Sequence, residues 1–96
     1  MEEKLKRVIR DVPDFPKPGI LFRDITPILS NPDLLKETVE ALARPFRNEG
    51  ISKVVGIESR GFIFAGALAH QLKAGFVPVR KLGKLPGKTI EVEYEL

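Results

Sequence analysis

A short polar turn follows an apolar run in the middle of the chain. Residues 54–57 are mostly β-branched, and a carboxylate, a hydroxyl, a guanidinium and a glycine follow at Glu58, Ser59, Arg60 and Gly61. In open α/β sheets, ligands bind beyond the carboxyl ends of the strands, where such a turn lies. Ser59, Arg60 and the amide groups that begin the next helix suit phosphate oxygens. The alternative is an ordinary turn with a surface ion pair between Glu58 and Arg60; the residue pattern favours an anion site in this turn, residues 58–61 (the anion turn).

A basic loop, residues 80–88, follows a second predicted strand. It contains two glycines, one proline and four cations, which are Arg80, Lys81, Lys84 and Lys88. A flexible loop at the end of a parallel strand can bring such cations onto a polyanion. Charge counting alone slightly favours the alternative, a solvated loop without a ligand.

A proline-rich segment, residues 15–27, carries apolar and aromatic groups that suit a flat ligand. Leu21 or Phe22 could stack on such a ligand. An equally good interpretation places Phe22 in the core of a proline-braced loop. Elsewhere, His70 lies in a predicted buried helix and is interpreted as a structural residue rather than as a base.

The composition excludes several classes of protein. The chain has 96 residues, 43% hydrophobic and 30% charged, as is typical of soluble globular domains. No apolar run approaches the ~20 residues of a membrane span, and the charged start predicts no signal peptide. The absence of cysteine excludes disulfides and thiolate metal sites and fits the cytoplasm. The net charge of +3 comes without a basic patch interleaved with aromatics, so a small anionic ligand is favoured over nucleic acid.

Helix signals organise the first half of the chain. Residues 1–10 are charged and amphipathic and predict a short helix. Residues 11–24 contain three prolines and a glycine, which predict an ordered but irregular loop. Ser30 or Asn31 can cap the helix that follows, and Pro45 predicts that this helix kinks or ends early.

Strands and a helix alternate in the second half. A strand over residues 51–57, a helix over 61–73 and a strand over 76–79 predict a parallel βαβ unit. The helix is apolar almost all round, so burial on more than one side is expected, with close packing at Gly66. Residues 89–96 alternate strictly between apolar and polar types, which predicts a half-exposed antiparallel strand at the carboxyl terminus.

Three stretches, in this order and spacing, closely resemble the adenine phosphoribosyltransferase family: DFPKPGILFRDITP, VVGIESRGFIFAGALA and GFVPVRKLGKLPG. The resemblance runs from about residue 9 to residue 96 and concerns the amino-terminal half of the family. It implies an α/β chain with a partial type I phosphoribosyltransferase fold, a parallel βαβ core with an amino-terminal hood. A single domain is expected, with a helix and the hood in residues 1–30 and a helix, the core and the basic loop in residues 31–96.

The resemblance also implies an activity and an assembly. The family converts adenine and phosphoribosyl pyrophosphate into AMP and pyrophosphate in purine salvage. Mg²⁺ would be held mainly by substrate oxygens and water. The expected assembly is a cytoplasmic homodimer with no nucleic-acid or membrane partner, and the apolar circumference of the helix over 61–73 favours such an association independently.

Site residues are implied by the same resemblance. A pyrophosphate-binding loop, with a cis peptide bond between its first two residues, is implied for Glu58, Ser59, Arg60 and Gly61. Contact with the pyrophosphate bound to the neighbouring subunit is implied for Arg80, Lys81 and Lys84. Enclosure of adenine, partly through backbone groups, is implied for Leu21, Phe22 and Arg23.

Two motifs of the family have no match in the sequence. One is its acidic, glycine-rich ribose-phosphate motif, and the other is a Glu-Tyr-Gly segment whose glutamate is assigned proton transfer at the adenine ring. Glu95 does not occupy that position, so no catalytic residue and no metal ligand is assigned. The chain is therefore expected to be a fragment of a longer enzyme, or a half-domain that needs a complement, and to form no AMP alone.

Other functions stay open as alternatives. A phosphoribosyltransferase-like domain can bind purines or phosphoribosyl pyrophosphate as a regulator without turnover. A xanthine- or orotate-specific transferase is a nearer competitor, and a basic nucleic-acid-binding module ranks last. The resemblance of the proline-rich segment to the adenine-specific family favours the adenine-specific enzyme.

Overall fold

A computed structural model describes residues 2–91 of the chain. The chain divides into two compact units, residues 1–45 and residues 46–96, and each contains its own two-stranded sheet. The functional division expected at residue 30 falls inside the first unit and stays a prediction.

The first unit begins with helix α1 (Glu2–Val8), as the sequence predicts, and continues with an antiparallel hairpin. Its strands are β1 (Arg10–Pro13) and β2 (Leu21–Asp24), paired from Arg10 opposite Asp24 to Pro13 opposite Leu21. The prediction of an irregular loop over residues 11–24 is therefore wrong at both ends of that stretch. Strands of four residues with prolines and charges lack the apolar alternation that identifies a strand in a sequence.

Two helices complete the first unit, α2 (Thr26–Ser30) and α3 (Pro32–Ala43). Asn31 caps α3, because its side-chain oxygen accepts hydrogen bonds from the backbone N–H groups of Asp33 and Leu34, at 3.0 and 3.1 Å. A 3₁₀ turn at Arg44–Phe46 follows, so the early end predicted from Pro45 is confirmed.

The second unit is a parallel βαβ motif, as predicted. Strand β3 (Lys53–Ile57) leads into helix α4 (Arg60–Leu72), which returns to strand β4 (Gly75–Val79). The two strands pair in parallel, and their last residues, Ile57 and Val79, lie opposite each other. The carboxyl ends of both strands therefore open onto the anion turn and the basic loop.

Helix α4 packs closest to the sheet at a strand glycine. A Cβ added to the buried Gly56 would lie 2.6 Å from the Cβ of Ala65 and 2.8 Å from a ring carbon of Phe76. At Gly66 no such atom would lie within 4 Å, so the prediction of close packing there is wrong. The close approach depends on a small residue on the strand, Gly56, opposite the small Ala65 of the helix.

Only one stripe of α4 is fully buried in this chain. Ala65 and Ala69 are buried, whereas Ile63 is 47% exposed and His70 is exposed. The interpretation of His70 as a buried structural residue is therefore wrong, because a two-stranded sheet covers a single face of the helix.

The predicted carboxyl-terminal strand lies largely beyond the described residues. Residues 89–91 form no regular element, and residues 92–96 lie outside the described part, so that strand stays a prediction. Within residues 2–91, no helix is both long enough and apolar enough to cross a membrane.

Candidate anion-binding site

The anion turn joins the carboxyl end of β3 to the first residue of α4. The peptide bond between Glu58 and Ser59 is cis, as the family resemblance implies. Ser59 and Arg60 are exposed, and Ser59 accepts a backbone hydrogen bond from the Phe62 N–H at 3.2 Å. The turn therefore presents a hydroxyl and a guanidinium beside the positive end of a helix, where anions bind favourably.

Glu58 connects this turn to the start of the basic loop. Its backbone N–H donates to the carbonyl oxygen of Val79 at 3.0 Å. One of its carboxylate oxygens accepts the backbone N–H of Lys81, and the other accepts the Arg80 guanidinium at 3.4 Å. A single residue thus contacts three successive residues where β4 passes into the basic loop.

Arg80 also contacts an aromatic ring, which packs on a second one. Its guanidinium carbon lies 5.9 Å from the centre of the Phe62 ring, a cation–π distance. Phe62 in turn meets Phe76 of β4 edge to face, with ring centres 5.5 Å apart. The Arg80 side chain, 34% exposed, thus contacts both Glu58 and the Phe62 ring.

The hydrogen bond from the Lys81 N–H, reinforced by the charge of Arg80, lowers the pKa of Glu58 below its ordinary value. The positive charge of Lys84 acts in the same direction. Glu58 is therefore ionised at neutral pH. Because a carboxylate repels phosphate, Glu58 fits a contact with the protein's own cations better than one with an anionic ligand.

The rest of the basic loop is open to solvent. Lys81 and Lys84 are exposed and close one turn, in which the Lys84 N–H donates to the Lys81 carbonyl oxygen at 3.1 Å. Gly83 adopts a φ of 83°, a left-handed conformation that favours glycine. The structure thus brings Arg80, Lys81 and Lys84 near Glu58 within the second unit.

The proline-rich segment belongs to the first unit. Leu21, Phe22 and Arg23 lie on β2, where Phe22 is half-buried and Leu21 is 51% exposed. Phe22 meets Phe15 edge to face, with ring centres 5.3 Å apart. Sequence reasoning missed Phe15 as the partner of Phe22, although the two aromatics lie in the same motif.

A charged cluster at the end of β2 was also missed. Asp24 accepts hydrogen bonds from the Thr26 N–H, at 2.9 Å, and from the Arg10 guanidinium, which also reaches the Thr26 hydroxyl at 3.2 Å. Those bonds, the Thr26 N–H foremost, lower the pKa of Asp24. Asp24 and Thr26 belong to the proline-rich segment, but the sequence does not predict that they pair with Arg10 across the hairpin.

No protein-family model matches the chain. Among curated proteins, the chain is 62% identical over 92 residues to an adenine phosphoribosyltransferase of Acaryochloris marina, covering 96% of this chain and 54% of that protein. The chain thus spans about half the length of the curated relatives it matches.

Solved structures give the same result. The adenine phosphoribosyltransferase of Rhodothermus marinus is 65% identical, with a TM-score of 0.85 over 92% of this chain and 50% of that one. The Saccharomyces cerevisiae enzyme, solved with an imino-altritol bisphosphate and adenine, is 47% identical, with a TM-score of 0.80 over 90% and 53% of the two chains. The resemblance carried by the three motifs is confirmed: in sequence and in fold, this chain is similar to about half of an adenine phosphoribosyltransferase of the type I phosphoribosyltransferase fold.

Proposed function

We propose that this chain contributes to an adenine phosphoribosyltransferase, which converts adenine and phosphoribosyl pyrophosphate into AMP and pyrophosphate in purine salvage. One observation carries the proposal. At the carboxyl ends of β3 and β4, a turn that presents Ser59 and Arg60 meets a loop of cations held by Glu58. The high identity to adenine phosphoribosyltransferases supports the same reading.

The anion turn is the proposed pyrophosphate site. Ser59, Arg60 and the Gly61 backbone would bind the pyrophosphate group as the bond from C1′ of the ribose to its oxygen breaks. Adenine forms the new bond to C1′ and loses a proton, and the bonding electrons leave with pyrophosphate. A guanidinium that meets the growing negative charge stabilises this transition state more than the ground state.

The remaining assignments concern the base and the neighbouring subunit. Leu21, Phe22 and Arg23 would face adenine, and the yeast relative's structure with adenine supports this choice of base. In a cytoplasmic homodimer, Arg80, Lys81 and Lys84 would reach the pyrophosphate of the other subunit. Ile63, which α4 leaves 47% exposed, supports the association.

Mg²⁺ enters the proposal with the substrate. Among residues 2–91, no three His, Cys, Asp or Glu side chains lie close enough to hold a metal ion. The carboxylate of Glu58 is engaged by Arg80 and Lys81. In this proposal, Mg²⁺ is held mainly by substrate oxygens and water.

A chimera tests the proposal. This chain would replace the aligned half of the Rhodothermus marinus enzyme, and AMP formation from adenine, phosphoribosyl pyrophosphate and Mg²⁺ would be followed by chromatography. We expect AMP from the chimera, and none from residues 1–96 alone because the ribose-phosphate motif is not among them.

The choice of base distinguishes the alternatives. Xanthine and orotate are offered to the same chimera at the same concentration, and adenine should be strongly preferred. A folded chimera that prefers another base, or that binds adenine and phosphoribosyl pyrophosphate without turnover, would contradict the proposal.

A further inference from the structure

Glu58 combines one backbone contact with two side-chain contacts, all to the same short stretch. Its N–H extends the parallel pairing of β3 and β4 by one hydrogen bond, to Val79. Its two carboxylate oxygens accept hydrogen bonds from the next two residues, one from the Arg80 guanidinium and one from the Lys81 backbone N–H. Three consecutive residues are thus bound to one, which fixes the direction in which the chain leaves β4.

We propose that Glu58 is a positioning residue, which holds the start of the basic loop in place rather than binding pyrophosphate itself. Both of its oxygens already have donors, and its side chain is only 19% exposed. Its negative charge would oppose an anionic ligand at close range. The consequence for pyrophosphate rests on the proposed function, whereas the positioning itself rests only on the contacts of Glu58.

The contacts of Glu58 would favour anion binding by ordering the basic loop in advance. Four like charges on a glycine-containing loop repel one another and favour many conformations. Binding an anion with such a loop requires it to be ordered first, at a cost in conformational entropy. A carboxylate that fixes Arg80 and Lys81 in advance removes part of that cost, whichever subunit supplies the anion.

Limited digestion with trypsin tests whether the start of the loop is held in place, because trypsin cleaves after lysine and arginine and cleaves an ordered backbone slowly. Cleavage after Arg80 and Lys81 is measured relative to cleavage after Lys53 and Lys73 in the same unit, by mass spectrometry over time. Loss of the charged hydrogen bonds in Glu58→Ala should raise this ratio about tenfold. A ratio that stays at the wild-type value, including equal acceleration at all four sites, would overturn the proposal.

Two further variants sharpen the result. Glu58→Gln keeps an oxygen that can accept the Lys81 N–H but loses the charge that holds Arg80, so its ratio should lie between those of the wild type and Glu58→Ala. Glu49→Gln removes an exposed carboxylate of the same unit and should leave the ratio unchanged. If Glu58→Gln behaves as Glu49→Gln does, the charge of Glu58 has no positioning role.

Calorimetry with inorganic pyrophosphate and Mg²⁺ then separates this inference from the proposed function. If the wild-type chain binds pyrophosphate and Glu58→Ala binds it several-fold more weakly, both the positioning role and the proposed function are supported. Tighter binding by Glu58→Ala would overturn the inference, because Glu58 would then be a competitor for the cations. If the wild-type chain binds no pyrophosphate while the tryptic ratio still rises in Glu58→Ala, the anion site fails and the positioning role stands.

Discussion

Two charged side chains on either side of Ser59 serve different partners. Arg60 is exposed at the first turn of α4, where a bound anion would meet both its guanidinium and the helix terminus. Glu58 faces the protein, with Arg80 and Lys81 on its oxygens. We therefore expect Arg60 to contact the ligand and Glu58 to contact the loop that follows β4.

Arg60→Ala tests the first of these roles. In the chimera with the Rhodothermus marinus enzyme, we expect kcat/KM for phosphoribosyl pyrophosphate to fall by the equivalent of ~2–4 kcal/mol, as for other losses of a transition-state stabiliser. Arg47→Ala is the matched control, since Arg47 contacts Gln71 near the opposite end of α4. Near-normal turnover in Arg60→Ala would mean that Arg60 contributes only to the structure of the turn.

The second role predicts a pH dependence. The folded pKa of Glu58 is lowered, so its contribution to stability is complete above the ordinary value of 4.5 and is lost as the pH falls through the folded value. The chemical shift of the Lys81 amide proton, followed by NMR, should therefore titrate with a midpoint below 4.5. In Glu58→Gln this titration should be absent. A midpoint at or above the ordinary glutamate value would contradict the assignment.

Among the elements, α4 and the two parallel strands depend on one close approach. The backbone of β3 lies against Ala65 and Phe76 at Gly56, where a side chain would have no room. This contact sets the depth at which α4 lies on the sheet, and with it the position of Phe62, the ring beneath Arg80.

A pair of glycine substitutions tests this packing. Gly56→Ala would force backbone or ring shifts and should lower the free energy of unfolding by ~1–3 kcal/mol. Gly66→Ala, in the same unit, meets nothing within 4 Å and should raise it by ~0.5–1 kcal/mol through helix propensity. Urea unfolding followed by circular dichroism measures both. Equal effects of the two substitutions would contradict the packing described for β3 and α4.

The βαβ unit could be predicted from the sequence because its strands and helix carry strong local signals. The hairpin of the first unit could not, since its loop is closed by contacts such as the Asp14 carboxylate on the Gly19 N–H, which have no periodic pattern. The position of the turn between β3 and α4 was predictable from its residue types, and its anion binding stays a prediction. The hydrogen bond between Glu58 and Lys81 could not be predicted, because the donor is the backbone N–H of Lys81 and nearly every residue has such a group.

At the scale of the whole molecule, the second unit exposes several large apolar side chains to solvent. Val55 and Ile57 of β3 are 61% and 55% exposed, and Ile63 of α4 is 47% exposed. Exposed apolar side chains of this kind mark surfaces that are covered in an assembly. They support the proposed homodimer independently of the family resemblance.

Self-association is therefore expected at micromolar concentration. Light scattering should give a mass about twice that of one chain, and Ile63→Glu should shift the distribution towards the monomer by placing a charge on an apolar surface. Gln71→Glu adds the same charge at an exposed polar position of α4 and should leave the mass unchanged. A monodisperse wild-type monomer would contradict the prediction.

The contacts of Glu58 also determine where the basic loop can change in length. Val79, Arg80 and Lys81 are each bound to Glu58, so a residue inserted before Lys81 would shift every later partner by one position. Lys84 closes a turn on the Lys81 carbonyl oxygen, whereas Pro86 and Gly87 lie beyond that turn and are exposed. Insertions, tags or loops grafted from relatives should therefore be accommodated between Pro86 and Gly87, and rejected between Arg80 and Lys81.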